Sequence, residues 1–201
     1  MQRDNAIEFL SRFMDDAEEV EFLKVLDELP KLSPEGPWLA GGAIRRTLIG
    51  MNLDSDFDFF FRDAEQLKVF KKSIESKGAK KTASNDHAET YMMTIKGKNR
   101  IIQLIKIGYY KNVEDLLDSF DFSISQLAYD GTDLIFGKYT LWDLPRKRLA
   151  LHKLTYGVAS MRRLIKYTDQ GFTACAGVMR SILEAVVSNP DVIQSDVKYV
   201  D

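Results

Sequence analysis

The run Asp54-Ser55-Asp56-Phe57-Asp58-Phe59-Phe60-Phe61 sets carboxylates and aromatic rings at alternate positions through its middle. Successive side chains of a strand point to opposite faces, so Asp56 and Asp58 share one face while Phe57, Phe59 and Phe61 fill the other. The run is therefore predicted as a strand over Asp56 to Phe61, anchored in a core by its rings. Two carboxylates at i and i+2 repel each other unless a cation or solvent compensates. They also stand close enough to share divalent cations.

A second motif precedes this strand. Trp38-Leu39-Ala40 is predicted as a short buried strand running into Gly41-Gly42, with a short helix over 43 to 50 closed by Gly50. A strand that passes through two glycines into a helix leaves backbone N–H groups facing outward, where a phosphate can approach the chain closely. A carboxylate pair beside a phosphate cradle is the minimum for metal-assisted phosphoryl transfer. Either motif alone is common, as a glycine turn or a solvated acidic pair. Their order, spacing and apolar strand context join them into one candidate site.

The rest of the 201-residue chain bounds the setting. Hydrophobic residues at 45% and charged residues at 29% suit a globular protein with a substantial core. A formal net charge of -2 provides no global attraction for nucleic acid, so any such surface must be local. The single cysteine, Cys175, precludes an internal disulfide, and with only His87 and His152 beside it a Cys/His zinc site is not expected. The N-terminus lacks the apolar stretch of a signal peptide, and no apolar run approaches the ~20 residues needed to cross a bilayer. No membrane association is expected, and the cytoplasm, or a host cytoplasm for a viral protein, is the default location.

Periodicity predicts a helix over residues 5 to 29, capped by Asp4 or Asn5 and ended by Pro30, with Asp15, Asp16, Glu18, Glu19 and Glu21 on its solvated face. A basic helix is expected over 63 to 77, strands near 79 to 84, 89 to 96 and 101 to 107, and a hairpin turn at Gly97-Lys98-Asn99. A helix over 112 to 120, capped by Asn112, precedes a hairpin from Phe122 to Tyr129 that turns at Asp130-Gly131 and returns through Leu134 to Phe136. Helices follow at 157 to 170 and 172 to 188, and a loose tail from Asn189. The expected fold is α+β, a mixed central sheet flanked by helices. The expected units are an N-terminal helix and loop (1–36), a catalytic head (37–153) and a C-terminal helical segment (154–201). Lysines 68 to 81, Lys96, Lys98 and Arg100, and Arg146-Lys147-Arg148 form basic clusters, solvated surface by default but suited to phosphate contacts. Tyr109-Tyr110 and Cys175 are expected to pack in the core, and His87 to sit in a loop.

Gly41-Gly42-Ala43-Ile44-Arg45, then Leu48-Ile49-Gly50, then Asp56-Phe57-Asp58 resembles the head of the polymerase-β-like nucleotidyltransferases. The likeness is to the branch of CCA-adding tRNA nucleotidyltransferases and bacterial poly(A) polymerases, with its Gly-Gly-x-Val-Arg-Asp, Leu-Leu-Gly and Asp-x-Asp. Asp121-Phe122-Ser123-Ile124-Ser125-Gln126-Leu127-Ala128-Tyr129-Asp130 resembles the branch's Arg-Arg-Asp-Phe-Thr-Ile-Asn-Ala-Leu-Ala-Tyr-Asp. Phe136-Gly137, Asp143-Leu144 and Arg148-Leu149 follow in the family's order, as does Arg162-Arg163-Leu164-Ile165-Lys166 to Gly171-Phe172. The resemblance implies that Asp56 and Asp58 coordinate two magnesium ions. It implies that Gly41, Gly42 and Arg45 hold an incoming NTP by its triphosphate, that Asp121 contacts the ribose and that Arg163 sits near the base. The implied reaction moves NMP to a hydroxyl, an RNA 3′ end of tRNA-like kind, with release of pyrophosphate.

The match has gaps. Arg46 stands where the family has aspartate, and Ser119-Phe120 replace the arginine pair before Asp121. Gly157-Val158-Ala159-Ser160 offers no counterpart to the acidic pair that helps select CTP and ATP. Gln103 occupies the place of a third carboxylate that many superfamily members carry, and an amide cannot act as a base. The helical domains that clamp tRNA are not among these residues, so a compact or truncated variant of viral or mobile-element origin is expected rather than a housekeeping repair enzyme. Two further readings stand beside the enzyme: a catalytically degenerate module binding RNA or protein, and a toxin-like transferase modifying tRNA or a protein hydroxyl. Base preference, the number of nucleotides added and oligomeric state are not encoded in these motifs.

Overall fold

The computed structural model describes residues 1–16, 20–154 and 157–188. Eight strands form one mixed sheet: β1 (Gln2–Asn5), β2 (Trp38–Ala40), β3 (Phe57–Phe60), β4 (Lys80–Ser84), β5 (Ala88–Ile95), β6 (Lys98–Ile105), β7 (Leu127–Tyr129) and β8 (Asp133–Phe136). Their order across the sheet is β1-β8-β7-β2-β3-β6-β5-β4. Among the described pairs of this sheet only β3–β6 is parallel. The helices are α1 (Ala6–Leu10), α2 (Glu21–Leu26), α3 (Gly42–Leu48), α4 (Ala64–Ser76), α5 (Val113–Asp118), α6 (Thr140–Asp143), α7 (Gly157–Asp169) and α8 (Ala176–Ser188). A small parallel pair, β9 (Arg148–Leu149) with β10 (Thr173–Ala174), ties the last two helices to the body. The architecture is the expected α+β one.

The alternation in β3 sorts its side chains as the sequence requires. Phe57, Phe59 and Phe61 are fully buried among Phe9, Leu10 and Phe22 from α1 and α2 and Phe70 and Ile74 from α4. Each buried phenylalanine contributes about 1.5–3 kcal/mol, which holds the strand in register. Phe60 turns to the other face, where Trp38, Ala128 and the α5 residues Val113, Leu116 and Leu117 receive it. A third cluster packs Leu164 and Tyr167 of α7 and Val178 and Ile182 of α8 onto Phe122 and Ile124.

The N-terminal region departs from the expected helix over 5 to 29. Gln2–Asn5 is instead an edge strand on β8, Asn5 caps the five-residue α1 by accepting from the N–H groups of Ile7 and Glu8, and α2 starts only at Glu21. Glu18 and Glu19 of the acidic face lie outside the described residues, as does the tail from Asn189. Like charges three or four residues apart disfavour a helix, which accounts for the break in so acidic a stretch. The strand Gln2–Asn5 is polar because it lies at the sheet margin, where charge discourages pairing with another chain.

Smaller differences follow the same logic. The β5–β6 turn is Lys96-Gly97, one residue earlier than expected, with φ of 47° and 78°. That left-handed pair is the two-residue geometry that matches strand twist. Residues 122 to 126 do not form a continuous strand but pass through a 3₁₀ turn at Ser123–Ser125. Cys175, expected in the core, is exposed ahead of α8. Of the tyrosine pair, Tyr110 packs against the α5-side core while Tyr109 is exposed.

Candidate active site

Strand register brings the chemistry together. Asp58 lies opposite Ala40 of β2 on one side and opposite Gln103 of β6 on the other. Gln103 is buried, and its Nε2 donates a 2.6 Å hydrogen bond to Asp56 Oδ2. The place of a third carboxylate is thus held by an amide that binds one of the two acids. Among the described residues no three His, Cys, Asp or Glu side chains cluster as metal ligands.

Both aspartates are half-buried, and this shapes their acidity. Burial pushes the Asp58 carboxyl up to about 7, with the Asp56 charge adding to the rise and Lys166, Arg163 and Arg45 opposing it. Burial also raises Asp56, against the pull of Lys166 and of the Gln103 hydrogen bond. Two acids that resist ionising together, ringed by three cations, make a site that favours added positive charge.

The glycine turn sits at the same end of the sheet. Gly41 has φ +84° and donates its N–H to Leu127 O at 2.9 Å, so the conformation there demands glycine. No side chain caps the first turn of α3, which leaves its N–H groups available. The space over both glycines is open: an added Cβ would come no closer than 4.0 Å to Phe120 at Gly41 and 3.7 Å to Ser55 at Gly42. Phe120, one of the two residues that replace the arginine pair, therefore flanks this turn.

Arg45 on α3 is buried at 3% exposure, with its guanidinium 4.5 Å from the Tyr167 ring centroid and Nη2 3.5 Å from Gln170 Oε1. Its Nε and the Ser55 hydroxyl are both buried without a hydrogen-bond partner. Buried polar atoms of this kind carry a cost unless something else satisfies them. Arg46, in the place of the family's aspartate, pairs with Asp54 at 2.6 Å and so braces the loop ahead of β3. Beside Asp56 a cavity of about 380 Å³ opens between Asn52, Ser55, Lys98, Arg100 and Ile101.

Asp121 and Arg163 meet each other directly. Asp121 is buried; its Oδ2 accepts from Arg163 Nη1 at 2.7 Å and Ser160 Oγ at 2.8 Å, and its Oδ1 accepts from the Phe122 N–H at 3.0 Å. Ser160, at the position of the missing acidic pair, thus supports the aspartate from below. Lys166, one turn beyond Arg163 on α7 and the last residue of the Arg162 to Lys166 motif, acts electrostatically on both Asp56 and Asp58, a role the motif does not assign. The signal was its spacing from Arg163, which puts both cations on one helix face.

Residues 1–147 match the family model of the Gabija anti-defense 2 (Gad2) proteins. The chain belongs to the Gad2 family. No curated protein matches this Gad2-family sequence. Among solved structures it is similar to the Thermotoga maritima CCA-adding enzyme complexed with tRNA, at a TM-score of 0.61 and 20% identity, over 94% of this chain and 47% of that one. Similar values hold for a CCA-adding enzyme with CTP (TM-score 0.60, 19% identity, 94% and 46% covered) and with ATP (0.58, 18%, 94% and 48%). The Gad2-family chain therefore has the nucleotidyltransferase fold and spans about half the length of these structures. The branch suggested by the sequence motifs supplies its fold neighbours, while its own family is Gad2. No helix among the described residues is long and apolar enough to cross a membrane.

Proposed function

We propose that the chain is a metal-dependent nucleotidyltransferase that moves NMP from NTP onto a hydroxyl, an RNA 3′ end, and releases pyrophosphate. The observation that carries this reading is the convergence of Asp56, Asp58, the uncapped Gly42 helix start, Arg45, Arg163 and Lys166 at one sheet end. The donor set fits magnesium, which takes hard oxygen ligands and is commonly held by one or two carboxylates plus substrate phosphates. Asp56 and Asp58 would hold two ions, and these, when bound, supply charge neutralisation across the reacting phosphates.

The chain's own residues do the positioning. Gly41 and Gly42 open the backbone to the triphosphate, and Arg45, braced on Tyr167, presents a cation to it. Ser55 Oγ and Arg45 Nε are the buried atoms such a ligand would satisfy. Gln103 fixes Asp56 through one oxygen, and the other takes no hydrogen bond among the described residues. The acceptor oxygen bonds to the α-phosphorus, the bond to the β-phosphate oxygen breaks, and the hydroxyl proton passes to solvent because Gln103 has no basic atom. Asp121 aligns Arg163 for the nucleotide. The neighbours solved with tRNA, CTP and ATP support NTP and RNA as substrates.

Membership of an anti-defense family, together with Gln103 and the Asp121–Arg163 lock, supports a second reading as a binding module without turnover. Incubation with labelled NTPs, Mg²⁺ and mixed RNA separates the two. Label should enter RNA, and Asp56→Ala or Asp58→Ala should abolish it. Absence of transfer, with no metal-dependent thermal stabilisation by any NTP, selects the binding module.

A further inference from the structure

The segment after β8 adds exposed aromatic rings to one of the chain's basic clusters. Lys138, Arg146, Lys147 and Arg148 fall within Gly137 to Leu149, and the one carboxylate there, Asp143, is buried. Asp143 is turned inward to the Ser123 hydroxyl at 2.6 Å and compensates Arg148 at 2.9 Å. Lys138, Arg146 and Lys147 make no ion pair among the described residues. Beside them two large rings face solvent, Tyr139 at 53% and Trp142 at 56% exposure. Arg146 lies 3.5 Å from the Trp142 ring centroid and donates to Trp142 O at 3.0 Å, while Lys138 Nζ is 5.1 Å from the Tyr139 centroid.

Exposed rings each paired with an uncompensated cation match the pattern that holds single-stranded nucleic acid: bases stack on the ring faces and phosphates meet the cations. Strand register sets the place. Phe136, the last residue of β8, is opposite Leu127, and Leu127 O accepts the Gly41 N–H. The aromatic segment thus leaves the sheet at the end where Gly41 and Asp56 lie. Three strand spacings separate β8 from β3, roughly 14 Å. One short strand of nucleic acid can bridge that distance.

We propose that Tyr139 and Trp142, with Lys138 and Arg146, form a stacking platform for single-stranded nucleic acid that holds the acceptor outside the catalytic pair. This rests on the reading of the acceptor as RNA. Trp and Arg also anchor protein contacts, but three cations without an ion pair among the described residues, on a chain of net charge -2, favour a polyanion.

The test is fluorescence anisotropy of a labelled oligouridine of about 12 nucleotides with the whole chain, in EDTA and without NTP. Trp142→Ala and Tyr139→Ala should each weaken binding about tenfold, and Trp142→Phe should keep it within about threefold. Lys138→Gln with Arg146→Gln should flatten the salt dependence. Since Trp38 is fully buried, the oligonucleotide should also shield the exposed tryptophan from acrylamide. Unchanged binding by Trp142→Ala and Tyr139→Ala, equal competition by duplex, or no binding by the unaltered chain would overturn the platform. If RNA labelling succeeds while both alanine variants bind normally, the platform fails and the transferase stands. If ring-dependent binding is found without any labelling, the platform stands and the transferase fails.

Discussion

Replacing Asp58 by asparagine should make the metal-free protein more stable, and only at neutral to alkaline pH. Burial first, and then the Asp56 charge, push this carboxyl from 3.8 to about 7. Below about pH 4 the group is protonated in folded and unfolded chains alike and imposes no penalty. Between about pH 4 and 7 the unfolded chain releases the proton while the folded chain retains it, so stability falls as pH rises; above 7 the full penalty applies. A displacement of about three pH units corresponds to about 4 kcal/mol, and partial solvent access at a half-buried site reduces this to about 2 kcal/mol. Asparagine keeps the shape and removes the charge. At about 2–4 °C per kcal/mol for a chain of this size, Asp58→Asn should raise Tm by about 6 °C at pH 8 and by about 1 °C or less at pH 3.5. Thermal unfolding at the two pH values measures this directly. Millimolar Mn²⁺ should stabilise the unaltered protein at pH 8 and not the variant. An equal Tm at pH 8, or the same gain at both pH values, would refute the claim that burial penalises a charge on this strand.

Three further perturbations probe the surroundings. Gln103→Glu removes the donor to Asp56 and adds a third negative charge opposite Asp58; Tm at pH 8 should drop by about 5 °C without metal and recover with Mn²⁺, by thermal shift. Arg163→Ala leaves the buried Asp121 carboxylate without its cation. Urea unfolding should show a loss of about 2–3 kcal/mol, and Ser160→Ala a smaller one near 1 kcal/mol. Gly41→Ala forces a side chain into φ +84° and should cost about 1–2 kcal/mol. Because the space above the turn is open, its larger effect should be on NTP affinity, read by titration calorimetry.

Local patterns made much of the site legible. The alternation of Asp56, Phe57, Asp58 and Phe59 allowed one assignment of faces, and the burial of the rings follows it. Ala40-Gly41-Gly42 required a strand, a turn and a helix start because glycine alone tolerates the backbone there. Asn5 and Asn112 cap α1 and α5 through the side-chain oxygens that their type supplies. Periodicity misjudged residues 5 to 29, where apolar spacing suggested one helix but acidic repulsion and the open edge of β8 gave a strand and two short helices.

Contacts between residues far apart in sequence followed other rules. The 47-residue separation of Gln103 and Asp56, and the 42-residue separation of Arg163 and Asp121, are closed by strand pairing and by the docking of α7, and neither leaves a local periodicity. Lys166 reads as one more cation on an amphipathic helix until α7 lies across the sheet end. The residue types and faces of the catalytic strand come from steric alternation along the backbone, a property of neighbours. Which acid Gln103 binds, which cation locks Asp121 and how high Asp58 is driven depend on burial and long-range packing, and these exist only once the sheet has closed around the site.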